Sequence, residues 1–428
     1  MEEEDMTSKK LGWVLLIWLL CFVCPCHSQE TALPQTSADS TTTVSAEDAT
    51  ANVIDSMAAS DNFVTASLVI TAPLKELFSV FGHATLRLEC PTHQLDFIYT
   101  WENENDKGVF TTIVAGNAKA FYTVVPTDSF LTDNREIGRE VTQYRLNLTP
   151  KEKQELWRYL DDELMAGDHH KFNLFTANCQ TALIDDMQRC LIGEHFEWGP
   201  MHYPMTLCDG DMFRVLMQKA PWAEFLLVTF GGTAYDRFSP TTQRVTPKTI
   251  IPMLREARFV NDSTGESRFV ITEPGTVLVA DADPNKEVPI TPMMTFGVLL
   301  ALALVVTAAE WLAGWRQLSR WFDILLFTSQ ALVWTLVLYI TLFSNTFLNT
   351  WNWYLIGFLP LPLFIWTCLR GRFASFCWLA YCILLLLFIA ATPFIGALDL
   401  PHQLITAILL VRCGSHFFMS KRKSVTCG

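Results

Sequence analysis

From Met293 onward the chain is a succession of apolar runs separated by short polar or basic punctuation, and nothing else in it limits the architecture as strongly. Crossing a hydrocarbon core of ~30 Å takes ~20 helical residues. The runs at 293–314, 322–343, 351–369, 375–396 and 400–418 each come close, so five spans are expected over 293–420. Basic residues fall in alternate connections: Arg316 and Arg320 after the first run, Arg370 and Arg372 after the third, and Lys421, Arg422 and Lys423 after the fifth. Basic loops stay cytoplasmic. That rule makes 421–428 a cytoplasmic tail and places everything ahead of the first run on the opposite, extracytoplasmic face. Trp311, Trp315, Trp321, Trp351, Trp353 and Trp366 suit interfacial belts. Glu310, Asp323 and Arg412 are expected near cytoplasmic span ends, where snorkelling or an interfacial position accounts for them.

The N-terminus agrees with export. Lys9 and Lys10 precede an apolar stretch from Leu11 to Val23, and Cys26-His27-Ser28 offers small residues for cleavage before Gln29, so 1–28 reads as a signal peptide. Lipid attachment at Cys21, Cys24 or Cys26 and an uncleaved anchor are the alternatives. Residues 29–60, rich in Ser, Thr, Ala and Asp, bury too little apolar surface to fold alone and are expected to be a flexible linker. A net charge of −13 argues against a nucleic-acid partner, because phosphate binding needs a basic surface. Four cysteines, Cys90, Cys179, Cys190 and Cys208, fall in the exported part. Cys190 with Cys208 is the first disulfide to consider, with two plain buried thiols as the alternative.

Between 61 and 280 the pattern is that of an α+β domain. Extended segments are expected at Phe63 to Ile70, His83 to Leu88, Leu95 to Trp101, Val109 to Val114, Phe121 to Val125 and Val141 to Leu146, giving a largely antiparallel sheet. Thr149-Pro150-Lys151-Glu152 is a capping box with proline at the first helical position, and Leu156, Leu160 and Leu164 continue one face of a helix to about Met165. Phe172 to Phe175 is short and extended, and Asn178 caps a helix from Cys179 to about Leu191. Residues 281–292 form an acidic tether into the membrane. Asp281, Asp283, Asn285 and Glu287 resemble a calcium loop only faintly, since Lys286 stands where such a loop needs glycine.

Chemistry concentrates at two places. Cys179 opens a helix, where unpaired N–H groups and the positive end of the helix dipole stabilise a thiolate. His83 opens a strand beside Gly82 and is the candidate base for that nucleophile. An imidazole needs a third group to fix its tautomer. A hairpin turning through Cys90 to Gln94 would bring Asp96 back alongside His83, with His93 as the alternative orienter. His169, His170, His195 and His202 lack metal-ligand spacing and read as solvated loop residues; no cofactor or metal is expected. Against the catalytic reading stands the plain one, in which Cys179 is a small buried hydrophobe.

Over roughly residues 60 to 260 the chain resembles the Lnb-type N-terminal periplasmic domain family, best known from bacterial lipoprotein N-acyltransferases. The matching stretches are Phe81-Gly82-His83-Ala84 with Leu86-Arg87, Asp96-Phe97-Ile98-Tyr99, Tyr144-Arg145-Leu146-Asn147-Leu148, Asn178-Cys179 with Thr181, Pro221-Trp222, and Gly231-Gly232 before Asp236. That family is similar to circularly permuted papain-like enzymes, including the lecithin retinol acyltransferases. The resemblance implies Cys179 as nucleophile, His83 as base and Asp96 as orienter in a papain-like domain. It also implies a bacterial inner-membrane protein with a periplasmic catalytic domain. Such a protein would pass an acyl chain from a phospholipid donor to the N-terminal amine of a diacylated lipoprotein. A papain-like amidase or peptidase, and a non-catalytic envelope sensor or assembly domain, are the alternatives. Trp198, Tyr203, Trp222, Phe225 and Phe230 form the candidate surface for docking on the bilayer, ordinary core packing being the other reading.

Overall fold

The computed structural model describes residues 64–74, 79–103, 118–174, 176–200, 217, 220–232, 247–282, 290–344, 351–369, 371–391, 394 and 399–426. The expected leader, the linker, the strand at Val109 to Val114, His202, Tyr203, Cys208 and most of the tether lie outside these residues.

An antiparallel sheet carries the first domain. Its strands are β1 (Thr65–Thr71), β2 (His83–Cys90), β3 (Leu95–Asn103), β4 (Lys119–Pro126), β5 (Val141–Arg145), the two-residue β6 (His170–Lys171) and, from much later in the chain, β10 (Thr276–Val279). They lie in the order β10-β5-β1-β2-β3-β4-β6. Alternation of side chains gives the sheet two different faces. Ala84, Leu86 and Leu88 of β2 join Tyr99 and Trp101 of β3 in the main core. Val69, Ile98, Val141 and Val279 form a smaller core on the other side with Phe130 and Leu131 of α1 (Thr127–Glu136).

The main core is closed by two helices whose starts follow from their caps. Helix α2 (Pro150–Ala166) opens on the expected box: Thr149 Oγ1 accepts from the Glu152 N–H at 3.3 Å and Glu152 Oε2 accepts from the Thr149 N–H at 2.8 Å. Leu156 and Leu160 are fully buried. Helix α3 (Cys179–Arg189) lays Leu183, Ile184 and Met187 on the same face of the sheet as Leu86 and Leu88. Strand β7 (Glu194–Glu197) pairs with β8 (Arg258–Asn261) and β9 (Ser267–Phe269) in a second, three-stranded sheet. Between them in sequence come α4 (Pro221–Gly231) and α5 (Pro247–Glu256). Cys190 is buried with a free thiol.

In the membrane domain the expectation of five spans is met in part. Among the described residues four helices are long and apolar enough to cross a bilayer: α6 (Pro292–Leu312), α7 (Arg316–Phe343), α10 (Gly371–Ala391) and α11, which runs Leu400–Thr426. The run at 351–369 is not a fifth continuous helix. It is split into α8 (Tyr354–Gly357) and α9 (Leu361–Cys368), 4 and 8 residues long, each alone too short for ~30 Å at ~1.5 Å per residue. Pro360 and Pro362 follow the break, and a proline supplies no N–H to continue the ladder. Freed carbonyls at membrane depth need other donors. Gln330 Nε2 of α7 donates to the carbonyls of Phe358 and Leu359 at 3.2 and 2.9 Å, and Trp334 Nε1 donates to Leu355 O at 2.9 Å.

Snorkelling is corrected for Arg412. Arg412 does not snorkel; it is fully buried. Its Nε and Nη2 donate to the two carboxylate oxygens of Asp323 at 2.7 and 2.8 Å, its Nη1 to Thr307 Oγ1 at 2.7 Å, and Nη2 also to Glu310 at 3.1 Å. His416 Nε2 meets Asp323 Oδ2 at 2.8 Å and the ring stacks on Trp378. Three helices, α6, α7 and α11, are thereby joined by one saturated polar cluster.

Candidate active site

Two local devices place the reacting side chains. Gly82 adopts φ +79°, and a Cβ there would lie 2.4 Å from the Thr71 carbonyl oxygen, so only glycine lets the chain turn tightly into β2 and present His83 at its first position. Asn178 sets the other side. Its Oδ1 accepts from the Gln180 and Thr181 N–H groups, both at 3.0 Å, while Thr181 Oγ1 accepts from the Asn178 N–H at 2.9 Å. Asn178 Nδ2 donates to Leu174 O at 3.0 Å, which ties the cap to the preceding turn. Cys179 follows at the first helical position, and its own N–H has no acceptor among the described residues.

The sheet and α3 set His83 and Cys179 beside each other, close enough for their charges to couple. Burial alone would lower the imidazole pKa, but the charge and hydrogen bond of the Cys179 thiolate overcome it and push His83 up to about 9. Burial would likewise raise the thiol; the positive imidazole beside it and the Ala84 N–H, donated to the sulfur, outweigh that and lower it. Thiolate and imidazolium therefore stabilise each other.

The far nitrogen of His83 settles the tautomer. Nε2 lies 2.6 Å from Thr100 Oγ1, and that hydroxyl donates to Glu102 Oε1 at 3.1 Å, so it must accept from Nε2–H. Nδ1 is left for the thiol proton. Glu102 is also 3.8 Å from Nε2 and half exposed. Thr100 and Glu102 occupy the place expected for Asp96.

Asp96 is engaged elsewhere. The hairpin forms as expected, but its closing pair is Cys90 with Leu95, so Asp96 faces Glu89. His83 sits six residues further along β2, about 20 Å away at ~3.3 Å per residue. Arg87 Nε and Nη2 hold the two Asp96 oxygens at 2.8 and 2.6 Å, and Thr127 Oγ1 adds a bond at 2.5 Å. Burial would raise the Asp96 pKa; the Arg87 and Thr127 hydrogen bonds lower it. His93 is exposed in the same distant turn. The signal for Thr100 and Glu102 was present in the register: seven residues back from Cys90 is His83, and seven on from Leu95 is Glu102. Every second residue of β3 from Asp96 to Glu102 shares the face of His83.

The pair lies beside the membrane domain. Phe81, two residues before His83, and Leu174, whose carbonyl takes Asn178, pack in one apolar cluster with Val80, Ala223, Leu227 and Val228, and with Ile340, Tyr354 and Phe388 of the bundle. Of the expected docking residues, Trp222 and Phe225 touch Phe296 of α6, and Phe230 joins this cluster. Trp198 instead packs on Phe196 in the main core.

Two family models match this chain: the Lnb N-terminal periplasmic domain over residues 53–205 and the Lnb transmembrane domain over residues 283–424. No curated protein and no solved structure matches it. One matched segment holds His83 and Cys179, the other the apolar helices, and together they take in more than half of the sequence. The chain belongs to the Lnb-type family, as a multi-pass membrane protein with a periplasmic domain.

Proposed function

We propose that this protein is a periplasmic, membrane-held thiol acyltransferase in which Cys179 is the nucleophile and His83 the base. The thiolate attacks an ester carbonyl of a phospholipid, and the oxyanion that forms is received by the Cys179 N–H at the head of α3. The imidazolium returns its Nδ1 proton to the departing lysophospholipid oxygen, leaving an acyl thioester and neutral His83. The N-terminal amine of a diacylated lipoprotein then attacks the thioester. His83 takes the amine proton, the amide forms, and the sulfur leaves as thiolate. Thr100, backed by Glu102, holds the imidazole in the tautomer that both steps need. A permuted papain-like arrangement fits a strand-borne His that precedes a helix-borne Cys.

The observation that carries this reading is the continuity of apolar packing from Phe81 and Leu174 to Ile340, Tyr354 and Phe388. An acyl chain exposed to water costs ~0.8 kcal/mol per CH₂, so a lipid-consuming thiol belongs where apolar contact with the bundle is unbroken. Amide hydrolysis would use the same pair but gives no reason for that continuity. Intact-mass analysis of lipoproteins from cells with and without the gene tests the proposal: loss of one acyl mass is expected, and unchanged lipoproteins would overturn it. Orientation is tested by phosphatase fusions: with the broken α8–α9 run counted as one crossing, they should be active after Ser344 and inactive after Arg316, Arg372 and Lys423.

A further inference from the structure

Helix α4 lies outside both matched segments, yet it is fastened to the bundle at both ends. At its start Trp222 Nε1 donates to Ile290 O at 2.7 Å, just ahead of the first span. At its end stands a polar group inside an otherwise apolar contact. His402, near the start of α11, is 1% exposed, and both ring nitrogens are engaged: Nε2 with Thr229 Oγ1 at 2.9 Å and Nδ1 with the Asp399 carboxylate. The ring is stacked between Tyr354 and Phe225, with centroids at 4.3 and 4.6 Å. Asn352 Nδ2 donates to Thr229 O at 2.9 Å while its Oδ1 accepts from the Tyr354 N–H at 3.0 Å. Gly232, at φ +53°, closes the helix against Asn352, where a Cβ would come within 2.9 Å.

Burial of apolar surface would hold α4 on the bundle without any of these groups, and polar groups in such a contact must all be partnered or they destabilise it. What a satisfied polar network adds is a single register, because sliding or rotating the helix leaves several buried groups unpaired at once. Register matters here because of what α4 touches on its other side. Ala223, Leu227 and Val228 pack in the cluster that contains Phe81 and Leu174, the residues adjoining His83 and the Asn178 cap of Cys179.

We propose that Asp399, His402, Thr229 and Asn352 form a positioning staple that fixes the height and orientation of Cys179 over the bilayer, so that a membrane-embedded acyl chain reaches the sulfur. His402 and its partners act through α4 and touch no reacting atom. The staple rests on the acyl-transfer reading for its functional consequence, and on the α4 contact alone for its structural one.

The test uses full-length protein in phospholipid vesicles and two variants, Thr229→Val, which keeps shape but removes the hydroxyl, and His402→Phe, which keeps the ring stack. Transfer from vesicle phospholipid to a diacylated lipopeptide should fall about tenfold or more in both. Alkylation of Cys179 by iodoacetamide, and its acylation by water-soluble p-nitrophenyl butyrate, should stay within about twofold of the parent. Amide exchange should quicken by about tenfold over Pro221–Gly231 and not over Pro150–Ala166. Unchanged exchange over α4 overturns the staple, as does equal loss with the soluble and the membrane donor or slowed alkylation. Should the parent protein be alkylated at Cys179 yet transfer from neither donor, the acyl-transfer reading fails instead, and the exchange measurement still decides the staple.

Discussion

Arg412 with Asp323 in the bundle and His83 with Cys179 in the periplasmic domain both set a positive group against a negative one, and they differ in what is left over. Arg412 is fully buried, and its Nε, Nη1 and Nη2 all have partners from α6 and α7. Nothing remains there for a ligand to take. The His83 ring is 23% exposed, the Cys179 N–H is unmet among the described residues, and the thiol is held below its usual range by the imidazole beside it, against the burial that would raise it. A saturated pair locks helices together; an incompletely satisfied one is available to react.

The sharpest break in that comparison is Cys179→Ser, which should abolish acyl transfer while leaving the melting temperature in detergent nearly unchanged. Residual activity close to the parent's would reject the thioester route. His83→Ala should cost ~10²-fold in transfer at neutral pH. Its pH behaviour carries more information. With the imidazole present the thiol is lowered and His83 raised to about 9, so transfer should hold through neutral pH and decline above about 9, when the proton owed to the leaving oxygen is gone. Without the imidazole, burial and the Glu102 charge raise the thiol with only the Ala84 N–H against them, so alkylation of Cys179 in His83→Ala should rise with pH where the parent's is already flat. A parent profile that climbs in the same way would mean that the pair is not formed.

For the bundle the expected outcome is inverted. Arg412→Met should destabilise the protein by ~3–5 kcal/mol because Asp323 is left buried with only His416 against its charge, and Asp323→Leu added to it should restore much of the loss. Specific activity per folded molecule should not change. The smallest effect is expected at Asp186, a buried carboxyl on α3 whose pKa burial pushes up to about 7, against the opposing hydrogen bond from Tyr122. A raised folded-state pKa gives stability that is complete below the unfolded value near 4 and is lost as pH rises through about 7. Asp186→Asn should therefore flatten the fall in melting temperature between pH 5 and 8 relative to the parent; an identical fall would contradict the shift.

Where pattern and local chemistry agree, the sequence was sufficient. The capping box at Thr149, the Asn178 cap and the alternation of β2 place α2, α3 and His83 as expected. Asp96 shows where local reading stops. Proximity to a hairpin turn suggested a contact with His83, but register pairs turn-proximal residues with each other, and Arg87 stood nearer to claim the carboxylate. In the membrane half, apolar length identified four long helices, whereas the break at Phe358 depends on Gln330 and Tyr381 arriving from other helices. The seating of α4 depends in the same way on His402, 173 residues from Thr229.

The central claim is tested most directly by intact mass of the full-length protein after incubation with phospholipid vesicles and no acceptor. The account predicts one added acyl mass, located on Cys179, released by hydroxylamine and absent from Cys179→Ser. An unmodified Cys179 that nevertheless reacts with iodoacetamide under the same conditions would contradict it.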